Sequence, residues 1–343
     1  MLSASDRAGK AHLRSHSGAF AGVAFHGAPT AAEYAVPAPL FQTLVKERLR
    51  LPLDITEARC EGCNTALDAY GWHRSACPRS GRVKARASAP GRALAKVCRE
   101  AGAQVRTNQL LRDLNVGVGG SDGRRIEVVA NGLSCYHGAQ LAVDITLRCA
   151  LSADGAPQAS AADVDGAVAN GARADKERTY PELVAGRRCR LVVVGVETGG
   201  RFSDEAVSFL EALAKERAAD TTPLLRRAAE RNWLRRWART LGVACATAYA
   251  TSLVSPTSRS DCVGGGTSNG CSPCLEQLFG ECRAGVGEGF VVAHTALRGE
   301  PGAPASCGLG VGACGGGFSH SAGGVREGAS VGVSAAAAAA AAL

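Results

Sequence analysis

The sequence predicts an α/β protein, preceded by a small metal-binding module and followed by a tail without fixed structure. Three observations carry that expectation. A four-membered Cys/His cluster lies at 60–77. Between 92 and 254, segments of two-residue alternation are interleaved with segments of helical periodicity, the pattern of a sheet with flanking helices. Beyond Pro256 the chain is rich in Gly, Ser, Cys and Ala with few apolar anchors, so burial there falls short of the ordering entropy. The expected boundaries are a weakly ordered segment with one short helix at 1–50, the knuckle at 51–82, the α/β domain at 83–255 and a disordered tail at 256–343.

Hydrophobic residues make up 46% of the 343-residue chain, yet aromatics only 5%. That pairing fits a sizeable core diluted by low-complexity sequence. The net charge of +8 comes from an excess of Arg, whose guanidinium fork suits phosphate oxygens. Charge therefore favours DNA or RNA as partner, although a moderately basic protein without one has the same composition. No stretch approaches the roughly 20 apolar residues of a membrane span. The N-terminus, MLSASDRAGKAHLRSHSG, lacks the apolar core of a signal peptide. With fourteen unevenly clustered cysteines, the expected setting is reducing and intracellular, where Cys/His clusters read as metal sites before disulfides.

Phe41, Leu44, Val45 and Leu49 have helical spacing, and Pro52 ends that helix. Arg79 to Arg92 reads as a basic linker broken at Pro90-Gly91. Arg92 to Glu100 is a short helix with Leu94, Val97 and Cys98 inward and Gly102 as its stop. Ile126 to Ala130 is a strand closed by the turn dipeptide Asn131-Gly132. Along Gln140 to Leu147, Leu141, Val143, Ile145 and Leu147 share one face, and Gln140, Asp144 and Thr146 the other. A helix follows over Asp165 to Tyr180, closed by Pro181, and then RLVVVGV at 190–196, an apolar run suited to a strand buried on both faces. Ser203 caps a helix that carries Asp204 and Glu205 in its first turn and Val207, Leu210 and Leu213 inward. The last helix runs from Leu224 to about Leu253. Trp233, Trp237 and Leu241 recur on one side, and Arg227, Arg231, Arg235 and Arg239 on the other. The arginines read either as the solvated back of a core helix or as a rail for a nucleic-acid backbone.

Cys60, Cys63, His73 and Cys77 give C-x2-C-x9-H-x3-C. Two cysteines three apart present both thiolates from a tight turn, and a His and Cys four apart do so from one helical turn. Together they complete a closed tetrahedral zinc site of structural type. A second cluster, Cys262, Cys271, Cys274 and Cys282, has no apolar frame to preorganise it and is not read as a metal site.

Asp144 interrupts an apolar strand, where a carboxylate needs a partner or a cation. If the preceding strand is its neighbour, Glu127, expected on the face opposite Ile126 and Val128, meets it on one side of the sheet. Two hard oxygen ligands so placed suit Mg²⁺, which activates a water for attack on a phosphodiester. Lys176 and Tyr180, four apart on a helix, share a face, and the ammonium suits developing phosphate charge. Spacing alone equally allows an exposed Glu127, a locally satisfied Asp144 and a solvated Lys176. Glu197, at a strand end, reads as an accessory ligand or a surface acid.

The succession CEGCNTALDAYGWHRSAC, RRIEV, GAQLAVDITL and DKERTYPEL resembles the C-terminal region of LINE-type (non-LTR) retrotransposon proteins, over roughly residues 13–254. That resemblance implies a zinc knuckle followed by a restriction-endonuclease-like mixed-sheet core. The knuckle motif falls on Cys60, Cys63, His73 and Cys77, the two acids on Glu127 and Asp144, and the Lys-x-x-x-Tyr pattern on Lys176 and Tyr180. Ile126 stands where the family has Pro, Glu127 where it has Asp, and Thr146 where related nucleases carry Lys; a further helical acid would have to be Glu100 or Asp113. A Tyr-x-Asp-Asp polymerase signature is missing. The function implied is Mg²⁺-dependent nicking of DNA in the nucleus. The alternatives are a catalytically inactive, zinc-dependent nucleic-acid-binding remnant and a decayed copy without a role.

Overall fold

Four strands form one mixed sheet in the order β1-β2-β3-β4: β1 (Gln104–Leu110), β2 (Arg125–Asn131), β3 (Gln140–Arg148) and β4 (Cys189–Glu197). β1–β2 and β2–β3 pair antiparallel, and β3 and β4 run parallel. This computed structural model describes residues 6–254 apart from 27, 115 and 186–188. By internal contacts the chain divides into two units, Met1–Gly266 and Thr267–Leu343. The tail expected at 256–343 and the cluster Cys262, Cys271, Cys274 and Cys282 lie outside the described residues. β1 is absent from the expectations above because QVRTNQL is polar and mostly exposed, as suits an edge strand.

The helices are α1 (Arg7–Ser15), α2 (Ala38–Arg48), the single turns α3 (Trp72–Ala76) and α4 (Arg82–Ala85), α5 (Ser88–Glu100), α6 (Ala167–Thr179), α7 (Pro181–Ala185), α8 (Asp204–Ala218) and α9 (Pro223–Val254). Their apolar stripes sandwich the sheet. Val128, Val143, Ile145, Val192 and Val194 pack on Leu94 of α5, Leu210 and Leu213 of α8, and Trp237 and Leu241 of α9. Ile126, Val129, Ala142, Leu191 and Val193 pack on Ala172 of α6 and Leu183 of α7. Each fully buried Leu or Val contributes about 1.5–3 kcal/mol, which is why apolar runs such as β4 fix the middle layer. Ser203 caps α8 by accepting from the Ala206 N–H at 3.2 Å. The parallel β3–β4 pair needs a crossover, and α6 and α7 supply it.

Three expectations change. Pro90-Gly91 does not break the chain but lies in the first turn of α5, where a missing N–H leaves no intrahelical bond unmade. The basic stretch around it is no solvated linker. Arg82 and Arg86 are buried, with Arg82 donating to the Ser252 carbonyl at 3.0 Å and Arg86 to the Ser75 carbonyl at 2.9 Å. Arg74 likewise reaches the Leu253 carbonyl at 2.6 Å. Cationic donors thus close the last carbonyls of α9, which have no helical partner of their own. Finally, the segment before residue 50 is ordered, by apolar packing of Phe20, Phe25 and Leu44 and by polar and small-residue contacts that hydrophobicity does not reveal. Arg14 donates to the Ala162 carbonyl at 3.0 Å, and Arg201 to the Arg14 carbonyl at 2.9 Å. Gly199 sits so close to Ser15 that an added Cβ would lie 2.5 Å from its carbonyl carbon. Among the described residues no helix is long and apolar enough to cross a membrane.

Candidate active site and metal centre

The β2–β3 ladder runs from Ala130↔Leu141 to Val128↔Val143 and stops there. On the other side of β2, Thr107↔Val128 and Gln109↔Ile126 pair, but Asn108, at φ 54, leaves the position facing Glu127 unpaired. The strand is distorted at this point. Ile126 packs into the α6–α7 layer and Val128 into the α5–α8–α9 layer, so the two do not share a face as simple alternation predicts. Glu127 therefore sits in the seam where the strands part. Its Oε2 accepts from the Ile145 N–H at 2.9 Å, a side chain standing in for a strand carbonyl. Gly91 of α5 covers it, and a Cβ there would lie 3.7 Å from the carboxylate carbon.

Asp144, 2% exposed, points toward α6. Lys176 Nζ lies 2.6 Å from its Oδ1, and the Tyr180 hydroxyl lies 3.5 Å from its Oδ2 while donating to the Arg125 carbonyl at 2.9 Å. Tyr180 is the residue that closes α6, its N–H bonded to the Lys176 carbonyl at 2.8 Å, so one turn carries both side chains to one carboxylate. Burial raises Asp144 above the ordinary Asp range, with Lys176 opposing it. Burial, and then the neighbouring Asp144 charge, raises Glu127 to about 7. The Tyr180 hydroxyl is raised by burial and by the two acids. Two carboxylates and one ammonium leave the site short of positive charge.

The other acids are elsewhere. Glu100 accepts from Trp237 Nε1 at 2.9 Å and from Arg236, and Asp113 lies beside Arg112. Glu197 is buried rather than at the surface, its Oε1 accepting from the Ala169 N–H at 3.2 Å. Along α9, Arg227, Arg231 and Arg235 are exposed on one face. Arg239 belongs instead to the N-terminal seam, donating to the Ala28 carbonyl at 3.1 Å and stacking over Tyr34 at 5.1 Å.

The Cys/His cluster is assembled by two local devices. Arg59↔Ala66 bridge as a miniature hairpin whose turn, with Asn64 at φ 60, presents Cys60 and Cys63. The Asp68 carboxylate accepts from the N–H groups of Tyr70, Trp72 and His73 at 2.8–3.0 Å, which starts α3 and aims His73. The sequence reading missed this role of Asp68, though an Asp just ahead of a helix start was the available signal. Gly62 is obligatory, because a Cβ there would lie 2.2 Å from the Arg79 carbonyl oxygen. Cys60 Sγ and Cys77 Sγ are 3.9 Å apart, Cys77 and Cys63 3.7 Å, and Cys63 Sγ and His73 Nε2 3.1 Å. A tetrahedron with metal–sulfur bonds of about 2.3 Å has sulfur–sulfur edges of about 3.8 Å. Cys60, Cys63, His73 and Cys77 can thus hold a metal such as zinc. Hydrogen bonds from Thr65 bring the Cys63 thiol down to about 6, toward the thiolate a metal needs, whereas burial raises Cys77.

No protein-family model matches the chain, and no curated protein is detectably similar to it. Function therefore has to be argued from the two clusters themselves.

Proposed function

We propose that the chain is a divalent-metal-dependent DNA endonuclease of the restriction-like type, derived from a LINE-type retrotransposon, with a zinc knuckle at 51–82. The observation that carries the reading is the buried Asp144 held between Lys176 and Tyr180, with Glu127 in the adjoining seam where β2 and β3 part. The order of the knuckle, acid, acid and Lys-x-x-x-Tyr motifs supports the retrotransposon origin.

Glu127 and Asp144 would be the oxygen ligands of Mg²⁺, which would supply Lewis-acid activation of a water and of the scissile phosphate. Tyr180, anchored on the Arg125 carbonyl at 2.9 Å, places its hydroxyl against the Asp144 carboxylate. Lys176, paired with Asp144 and with its side chain 25% exposed, is the cation available to stabilise charge on the phosphate as the P–O bond breaks. Zinc on Cys60, Cys63, His73 and Cys77 has four protein ligands and no spare position, so its part is structural. Arg227, Arg231 and Arg235 contact the backbone of DNA or RNA, in the nucleus.

Supercoiled plasmid incubated with the full chain and Mg²⁺ tests this. Nicking is expected from the native protein and not from Asp144→Asn of unchanged circular dichroism; nicking by that variant refutes the assignment. A second reading, a nucleic-acid-binding module without turnover, is favoured by the near-complete burial of Asp144 and its pairing with Lys176. It predicts salt-sensitive binding, lost when Cys60 and Cys63 are replaced, with no nicking under any divalent ion.

A further inference from the structure

His12 and His16, four apart at the end of α1, face Glu47 in the last turn of α2, and all three side chains are nearly buried. His16 Nε2 lies 3.0 Å from Glu47 Oε2, and His12 Nδ1 lies 3.7 Å from Glu47 Oε1. The outward nitrogen of each ring is already committed: His16 Nδ1 to the His12 carbonyl at 2.9 Å, and His12 Nε2 to the Arg48 carbonyl at 3.3 Å. A carbonyl only accepts, so each outward nitrogen carries the ring's proton. Each inward nitrogen then presents a lone pair to a carboxylate oxygen, unless a further cation stands between them. Protonating both rings would stack two imidazolium ions with centroids 4.1 Å apart against a single carboxylate. One divalent ion replaces those two protons and satisfies all three groups.

The fixed tautomers match what metal-binding imidazoles require, the non-ligating N–H held by a backbone carbonyl. The Tyr249 hydroxyl, 3.3 Å from Glu47 Oε1, plays the same orienting part for the carboxylate. The His16 Nε2–Glu47 Oε2 separation of 3.0 Å lies close to the edge of about 3.3 Å expected for a tetrahedron with metal–nitrogen and metal–oxygen bonds near 2.0 Å, and one ligand atom from each of the three residues lies within 4.8 Å of the other two. A cavity of about 20 Å³, bordered by His16 and Glu47, has room for one water. We propose that His12, His16 and Glu47 form a second site, for a divalent transition metal of the zinc class, with one water as fourth ligand and the role of clamping α1 to α2. Imidazole and carboxylate donors without thiolate select this class over Mg²⁺ or Ca²⁺.

Titration of metal-free full-length protein with Co²⁺ in excess Mg²⁺, which occupies Glu127 and Asp144, tests the site. Two equivalents should bind: one with the intense sulfur-to-cobalt absorption of the cysteine cluster, and one adding only weak ligand-field bands while raising the melting temperature. His16→Gln and His12→Gln should each remove the second equivalent alone, and Cys60→Ser/Cys63→Ser the first alone. Saturation of the native protein at one equivalent, all of it sulfur-bound, overturns the proposal without recourse to any variant. So does a second equivalent that persists in His16→Gln.

Discussion

Replacing Lys176 by Met keeps the length of the side chain and removes its charge from beside Asp144. The pair is 2.6 Å apart, with Asp144 2% and Lys176 25% exposed. Exposed ion pairs contribute at most about 1 kcal/mol, whereas removing one partner of a buried pair costs about 3–5 kcal/mol because the other charge is stranded. Partial exposure of Lys176 sets the expectation at the lower end, about 3 kcal/mol at pH 8, or roughly 150-fold in the folding equilibrium. Urea unfolding without added Mg²⁺ should show a midpoint lower by about 1 M for an m-value of about 3 kcal/mol/M. The sign of the pH dependence is fixed by Asp144. Its carboxyl is raised by burial, and Lys176 opposes that rise. An acid with a raised folded pKa contributes stability below its unfolded value and loses it as pH rises through the folded one. The Lys176→Met deficit should therefore shrink as pH falls from 8 toward 5, and Asp144→Asn in the same chain should recover most of it. A deficit below about 0.5 kcal/mol at pH 8, or one that Asp144→Asn leaves unchanged, would show that the pair is not the buried unit described.

Further outcomes follow from the same geometry. With Glu127 raised to about 7, a cation competes with its proton, so Mg²⁺ affinity by isothermal calorimetry, and any nicking, should rise about tenfold per pH unit below 7 and level off above it. Gly62→Ala sets a methyl against the Arg79 carbonyl and should weaken zinc binding at least tenfold in a chelator competition, with Gly119→Ala, in open space, as the neutral control. Stripping the Cys/His metal should loosen the grip of Arg74 and Arg82 on Leu253 and Ser252, read as faster hydrogen exchange at the end of α9 than in β4. Arg227→Gln/Arg231→Gln/Arg235→Gln should lower DNA affinity and reduce the log–log salt slope by up to about 3, at about 0.9 per phosphate contact, while Arg239→Gln should leave that slope unchanged.

How much of this was legible beforehand depends on which physical signal each part carries. β3 and β4 could be read because apolar alternation and an unbroken apolar run report burial directly, and α8 because a serine cap and first-turn acids mark its start. β1 could not, since an edge strand takes its order from the hydrogen bonds of β2 rather than from its own side chains. Asp144 stood out as a charge in an apolar strand, and the four-residue spacing of Lys176 and Tyr180 placed them together. Glu127 reaches the seam by a different geometry from the one alternation predicts. Alternation put it on a face shared with Asp144, whereas a local distortion beside Asn108 puts it in the seam, and nothing in RRIEV announces that distortion. Arg82 reads as part of a basic linker because its partner is a carbonyl some 170 residues away, and Arg86 because its partners are the Ser75 and Leu147 carbonyls, 11 and 61 residues away. Distant main-chain acceptors leave no trace in local sequence.

The carboxylate of Glu127 has a further consequence. The oxygen that closes the β2–β3 seam by accepting from Ile145 belongs to the very group a cation would claim. Capturing an ion and keeping the sheet zipped thus draw on one side chain. Whatever pulls that side chain outward must either tolerate a shared oxygen or let the strand corner open.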